Sequence, residues 1–176
     1  MSVSALDNLV KIRQLAVEPR NENEIRRLLH MAQTHLADAQ QPSVSVEGRY
    51  LSAYAAGHSA GLAVLRHHGY RSENRYIVFQ SLTHTLGWPA ERWRLLDAAH
   101  RARNLAEYEG FMEVELSQVT ALIGVVSMLI ADANHALGAQ PRKPNAPIDA
   151  GACCRSSQTA DESTGCSAGT RRSNPG

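Results

Sequence analysis

Six times between Leu6 and Leu137 the sequence lays down apolar residues three and four apart, with a proline or glycine near the end of each stretch. That period places them on one face of a helix, whereas a strand needs alternation every second residue. No segment alternates for long enough to predict a strand. A first stripe (Leu6, Leu9, Val10, Ile12) ends before Pro19. Asn21 or Asn23 caps a second (Ile25, Leu28, Leu29, Ala32, Leu36), which stops at Pro42. A third runs from about Val46 to His68 and is halted by Gly69, with Leu51, Tyr54, Ala55, His58, Leu62 and Leu65 along one face. Its Gly57 and Gly61, four apart, allow a neighbour to approach closely. Ser72 is the expected cap of a fourth (Ile77, Val78, Leu82, Leu86). Pro89 precedes a fifth, Ala90 to about Glu109, whose Trp93, Leu96 and Ala99 face inward. The last and most apolar, Glu113 to Leu137, ends before Gly138. The sequence predicts an all-α, up-and-down helical bundle of five or six helices.

The helical pattern stops at Gly138. From there to Gly176 no aromatic residue occurs and Ile148 is the one large aliphatic. Such a stretch buries too little apolar area to offset the entropy of ordering it. The expected organisation is a bundle domain over 1–137 and a disordered, low-complexity tail over 138–176. All three cysteines, Cys153, Cys154 and Cys166, fall in that tail and cannot cross-link the domain.

A formal net charge of +1 argues against the broad basic face of a dedicated duplex-binding protein, but not against a small polar cleft that handles one phosphate or a short single strand. No run approaches the ~20 apolar residues of a membrane span, so no membrane association is expected. The first residues, MSVSALDNLVKIRQL, lack the basic-then-apolar order of a signal peptide, which makes a cytoplasmic address the expectation.

The most informative polar stretch lies on the fifth helix. At 3.6 residues per turn His100, Asn104 and Tyr108 stack along one line, with Arg103 and Glu107 on the next. From spacing alone this is a solvated face with an intrahelical Arg103–Glu107 pair, worth a few tenths of a kcal/mol.

Arg103-Asn104-Leu105-Ala106-Glu107-Tyr108 also resembles the Arg-polar-x-x-Asp/Glu-Tyr signature of one branch of the HEPN superfamily. The stretch from Tyr50 to Leu65, followed by Gly69-Tyr70-Arg71, is similar to that branch's tyrosine-rich helix and Gly-Tyr-basic turn. Order, separation and the long apolar closing helix agree as well, over about residues 44–137. The resemblance implies a helical bundle that forms a homodimer, with two such motifs meeting in a cleft across the dimer axis. Many HEPN proteins are metal-independent ribonucleases of toxin–antitoxin, CRISPR-linked and phage-defence systems. Others bind nucleotides or accompany a small nucleotidyltransferase. In nucleolytic members an Arg and a polar residue position the scissile phosphate, and a His four to six positions after the Arg moves the proton.

Carried over by position, Arg103 matches the Arg, Asn104 the polar residue, and Tyr108 stands where the His belongs. A phenol of pKa ~10 is ionised in only about one part in a thousand at neutral pH, whereas an imidazole near ~6.5 is poised for both transfers. Tyr108 is therefore a poor general base, and His100, one turn before Asn104, is the substitute. The resemblance thus leaves two readings of Arg103, Asn104, Tyr108 and His100. One is a metal-independent endoribonuclease at a dimer cleft. The other is a non-catalytic module that holds a nucleotide, RNA or a protein partner, paired with a nucleotidyltransferase.

The remaining candidates read as structural. His58 is expected to be a hydrogen-bonded core histidine, and His67 and His68 complement the end of a helix dipole. Tyr50 and Tyr54 read as core or dimer packing rather than a base-stacking platform. A zinc site from His58, His84 and His100 lacks a sequence-close ligand pair, and no Gly-rich phosphate loop occurs, so neither metal nor cofactor is expected.

Overall fold

A computed structural model describes residues 3–110 and 112–138. Among these, six helices and one short strand pair follow in the order α1 (Val3–Lys11), β1 (Ala16–Val17), α2 (Glu22–Ala39), α3 (Val46–His67), β2 (Tyr70–Arg71), α4 (Arg75–Thr85), α5 (Ala90–Glu109) and α6 (Leu116–Ala136). The chain is an all-α bundle, as the periodicity predicts. The expected tail beyond Gly138 and its three cysteines lie outside the described residues.

The helix starts follow local chemistry. The Asn21 side chain accepts from the backbone N–H of Asn23 and Glu24, and Ser45 from that of Gly48. Ser72 does not cap α4. Asn74 does, accepting from the Tyr76 N–H, while the Ser72 hydroxyl donates to the Gln14 carbonyl at 2.9 Å. That bond ties the chain before α4 to the loop after α1. Alongside it β1 and β2 pair antiparallel, Ala16 opposite Arg71 and Val17 opposite Tyr70. Two residues per strand are too few for an alternating pattern to be visible, which is why the sequence predicts none. At the far end of α5, Gly110 takes φ +76°, a left-handed cap that ends the helix. The final helix begins at Leu116 rather than Glu113, where the Gln118 side chain accepts from the Glu115 N–H at 2.9 Å.

The core is organised around α3, which packs against α2, α4, α5 and α6. Neighbours on so many sides require small residues. Ala53, Ala56, Gly57, Ala60, Gly61 and Ala63 are all buried. The face expected to be apolar core is therefore only partly so. Tyr54 and Leu65 are buried, but Leu51 is 39% exposed and Ala55 and His58 are half-buried. An ideal Cβ on Gly57 would lie 2.9 Å from Leu96 of α5 and 3.1 Å from Val126 of α6, so both helices lie close over that position.

At the C-terminal end of α3 sits Arg66, only 1% exposed. A buried guanidinium is tolerable only when its donors and its charge are both met. It donates to Glu24 Oε2 at 3.0 Å and to the carbonyls of Pro19 at 2.9 Å and Glu18 at 3.3 Å. Arg71 pairs with both Glu18 and Glu24, so two cations and two carboxylates lock the segment after β1, α2, α3 and β2 together.

One sequence expectation needs correction. The 21-residue helix α6 is, by length and composition, apolar enough to cross a membrane. Its apolarity has a local use, since Val119, Leu122, Val126, Leu129 and Ile130 are buried in the bundle core.

The close approach at Gly57 makes a paired prediction. Gly57→Val forces a branched side chain into Leu96 and Val126 and should cost about 2 kcal/mol or more in urea denaturation. Gly124→Ala in α6, with nothing within 4 Å of an added Cβ, should instead gain about 0.5–1 kcal/mol from helix propensity. Equal midpoints for the two variants would contradict this packing.

Candidate functional site

A cavity of about 590 Å3 opens between four helices. Met31 and His35 of α2 form one wall, and Leu51, Tyr54, Ala55, His58 and Ser59 of α3 form the floor. Arg75 enters from the first residue of α4, and Arg103, Ala106 and Glu107 from α5, with Met112 beyond its end. The size falls within the usual range for small-ligand sites, and apolar walls with a few polar groups are their usual composition.

Of the residues predicted from the sequence, Arg103 lines this cavity, and His100 and Asn104 sit half-buried beside it. The predicted helical line is real for two of its three members, because Asn104 Nδ2 lies 3.2 Å from His100 Nε2. Tyr108, the third, is 89% exposed and is not part of the cavity wall. The intrahelical pair suggested by spacing forms as well, with the Arg103 guanidinium held by the Glu107 carboxylate. Glu107 is largely exposed, so this pair stays in contact with water and contributes little to stability.

The structure adds two residues that spacing along α5 could not supply. Tyr54 is 2% exposed, and its ring stacks with His100 at 5.9 Å and 18°. Its Oη lies 2.9 Å from His100 Nδ1 and 3.0 Å from Arg75 Nη1. Arg75 also lies over the Tyr54 ring, 5.8 Å from its centroid. Arg103, Asn104, His100, Tyr54 and Arg75 thus form one continuous polar network drawn from α3, α4 and α5. Tyr54 was legible as a packing residue, and it packs, but its hydroxyl is the hub. Arg75 had one signal. A cation in the first turn of a helix opposes the positive end of the dipole, so something must favour it there.

The charges are unevenly met. Arg66 and Arg71 answer to Glu18 and Glu24, and Arg103 to Glu107. Among the described residues no carboxylate pairs with Arg75. Its field is felt by two histidines. Burial first, and then Arg75, His100 and Arg103, push His58 down to about 4. Burial, followed by Arg75, also holds His100 below the usual imidazole range. Both are neutral at pH 7. His58 is not the hydrogen-bonded core histidine that was expected. It lines the cavity, with its ring edge-on to Phe79 at 6.1 Å, and no hydrogen bond to it occurs among the described residues.

A second cavity, about 460 Å3, lies between the loop after α1 and the start of α4. Several of its polar groups are engaged already, Arg71 by Glu18 and Glu24, Ser72 by the Gln14 carbonyl, and Asn74 by the Tyr76 N–H. No cluster of histidine, cysteine, aspartate and glutamate able to hold a metal occurs among the described residues. Comparison with protein-family models, with curated proteins and with solved structures finds no match to the chain.

The neutral His58 has a consequence for stability. In the folded chain it takes up a proton only near pH 4, whereas its ordinary value is 6.5. Between those values the unfolded chain binds more protons, so stability falls as pH descends from 6.5 towards 4. His58→Gln should flatten that slope in urea titrations by up to ~1.4 kcal/mol per pH unit, the linkage of one proton. The residual slope belongs to His67, His68 and His100, which are lowered too. An unchanged slope would show that His58 is solvated.

Proposed function

We infer that the chain is a HEPN-like module that binds a nucleotide, or the end of an RNA strand, through a phosphate without cleaving it. The observation that carries this reading is the guanidinium of Arg75. It is half-buried on the wall of a cavity, close enough to depress two histidines, and has no carboxylate partner among the described residues. A partly desolvated cation of this kind is stabilised by an anion, and arginine suits phosphate better than lysine does. Arg103 lies on the same cavity, its Glu107 contact exchangeable for a ligand oxygen because that carboxylate is exposed. The methyl, thioether and imidazole groups of Ala55, Met31, Met112 and His58 provide apolar surface for a base or ribose.

Proton transfer finds less support. Tyr108, at the position of the nucleolytic histidine, is turned to solvent. The lone pair of His100 that faces Asn104 is occupied, and burial makes the ring a weaker base. A ribonuclease remains the second reading because His100 sits one turn from Arg103 within a shared network. A homodimer belongs to the same proposal. Leu105 and Tyr108, three residues apart on α5 beside this network, are 55% and 89% exposed and give a second copy an apolar surface to cover. The toxin–antitoxin or defence setting and a nucleotidyltransferase partner follow from the HEPN likeness and stand or fall with it.

Calorimetry with AMP and a short single-stranded RNA tests the reading. Saturable binding is expected, weakened about tenfold or more in Arg75→Ala, since a charge-assisted contact is worth about 1.5–3 kcal/mol. Arg103→Ala should lose less, because Glu107 already shares that guanidinium. The RNA should be recovered intact. Equal affinity in Arg75→Ala would remove the binding reading, and cleavage that disappears in Arg103→Ala would replace it with the nuclease.

A further inference from the structure

The hydrogen-bond network beside the cavity has a direction, and the direction follows from what each group is able to donate. Arg103 has no acceptor, so its 3.3 Å contact to Asn104 must end on the amide oxygen, as it does. The Asn104 NH2 group therefore faces His100 Nε2 at 3.2 Å. A ring nitrogen facing a donor has to be the bare one, which puts the proton of neutral His100 on Nδ1. That N–H then points at Tyr54 Oη, 2.9 Å away. Arg75 Nη1 donates to the same oxygen at 3.0 Å. Both lone pairs of the phenol oxygen are filled, and its own proton has no acceptor among the described residues. Since Tyr54 lines the cavity, that is the side left open to the proton.

We propose that Tyr54 and Arg75 together form an oxyanion subsite, in which the Tyr54 O–H and the remaining N–H groups of Arg75 bind one phosphate group of the ligand. Tyr54 is the residue that sets specificity. With His100 fixed as the Nδ1–H form, its hydroxyl can only donate, so the subsite accepts a phosphate or similar oxyanion and rejects a ligand that presents an N–H or O–H there. Arg103 acts at a distance here, by orienting Asn104 and through it the imidazole. It is a positioning residue for Tyr54 as well as a wall of the cavity. The subsite deepens the nucleotide reading but makes a claim of its own about protons and phosphate.

Two measurements separate the claims. First, a long-range 15N–1H correlation spectrum of the histidine rings at neutral pH should show the His100 proton on Nδ1, with a His100→Gln sample to assign the signal. A proton on Nε2 overturns the proposal. Second, inorganic phosphate, AMP and adenosine are titrated into the wild type and Tyr54→Phe, which keeps the buried ring. Phosphate and AMP should bind about fivefold or more weakly to the variant, while adenosine, lacking the oxyanion, should be unaffected. Equal AMP affinity in the two proteins overturns the subsite and leaves the nucleotide reading standing. Tyr54-dependent phosphate binding with no response to AMP or RNA supports the subsite and removes the nucleotide reading. Should Tyr54→Phe fail to fold, the unaltered protein still decides, since phosphate must shift the His100 Nδ1–H signal and an unmoved signal counts against the subsite.

Discussion

A helix that packs against neighbours on most of its circumference is the constraint on which this structure rests. Helix α3 meets α2, α4, α5 and α6, and the contact is possible because alanine and glycine occupy the crowded positions. Interaxial distance is set by the side chains at the crossing, so small residues bring whole backbones inward. The larger side chains of α3 are then confined to the gaps between neighbours. Tyr54 fills one such gap, and its hydroxyl emerges where α4 and α5 both reach it. Arg66 occupies another, at the end of the helix, where the chain before α2 folds over it. The cavity and the buried ion cluster are both products of the same crowding.

The two arginine-rich regions differ in how their charge is met. Around Arg66 the cations and carboxylates balance, and the backbone carbonyls of Glu18 and Pro19 take up the remaining donors. Such a cluster holds a register but offers nothing to a ligand, because every replacement would have to match several partners at once. Around Tyr54 the balance is incomplete. Arg75 donates to the Tyr54 hydroxyl rather than to a carboxylate, and burial first, then its charge, hold the two neighbouring imidazoles below their usual range. The asymmetry, more than the cavity's size, sets this part of α3 apart from the balanced cluster around Arg66.

The sequence was most legible where one element decides the outcome. Helix positions followed from periodicity and from prolines and glycines, and the contact between His100 and Asn104 from one turn of α5. The apolar face of α3 was misjudged, because a helix surrounded on several sides has no single such face. Leu51, Ala55 and His58 looked like core and form the floor of the cavity. Ser72 was the expected cap of α4 and Asn74 takes that place, and the bond that occupies Ser72, to Gln14, spans 58 residues. The meeting of Tyr54 with Arg75 and His100 lay beyond reach for the same reason. Those two stand 21 and 46 positions from Tyr54, and packing, not spacing, brings them together.

The apolarity of α6 bears on how the chain reaches this state during synthesis. It is the last of the described helices to leave the ribosome, and it supplies Val119, Leu122, Val126 and Leu129 to a core that the preceding helices share. Until it arrives, Gly57 and Leu96 face an open trough, and α6 itself emerges as a long apolar segment. Completion of the bundle therefore waits for α6, and until then the nascent chain holds its central groove uncovered.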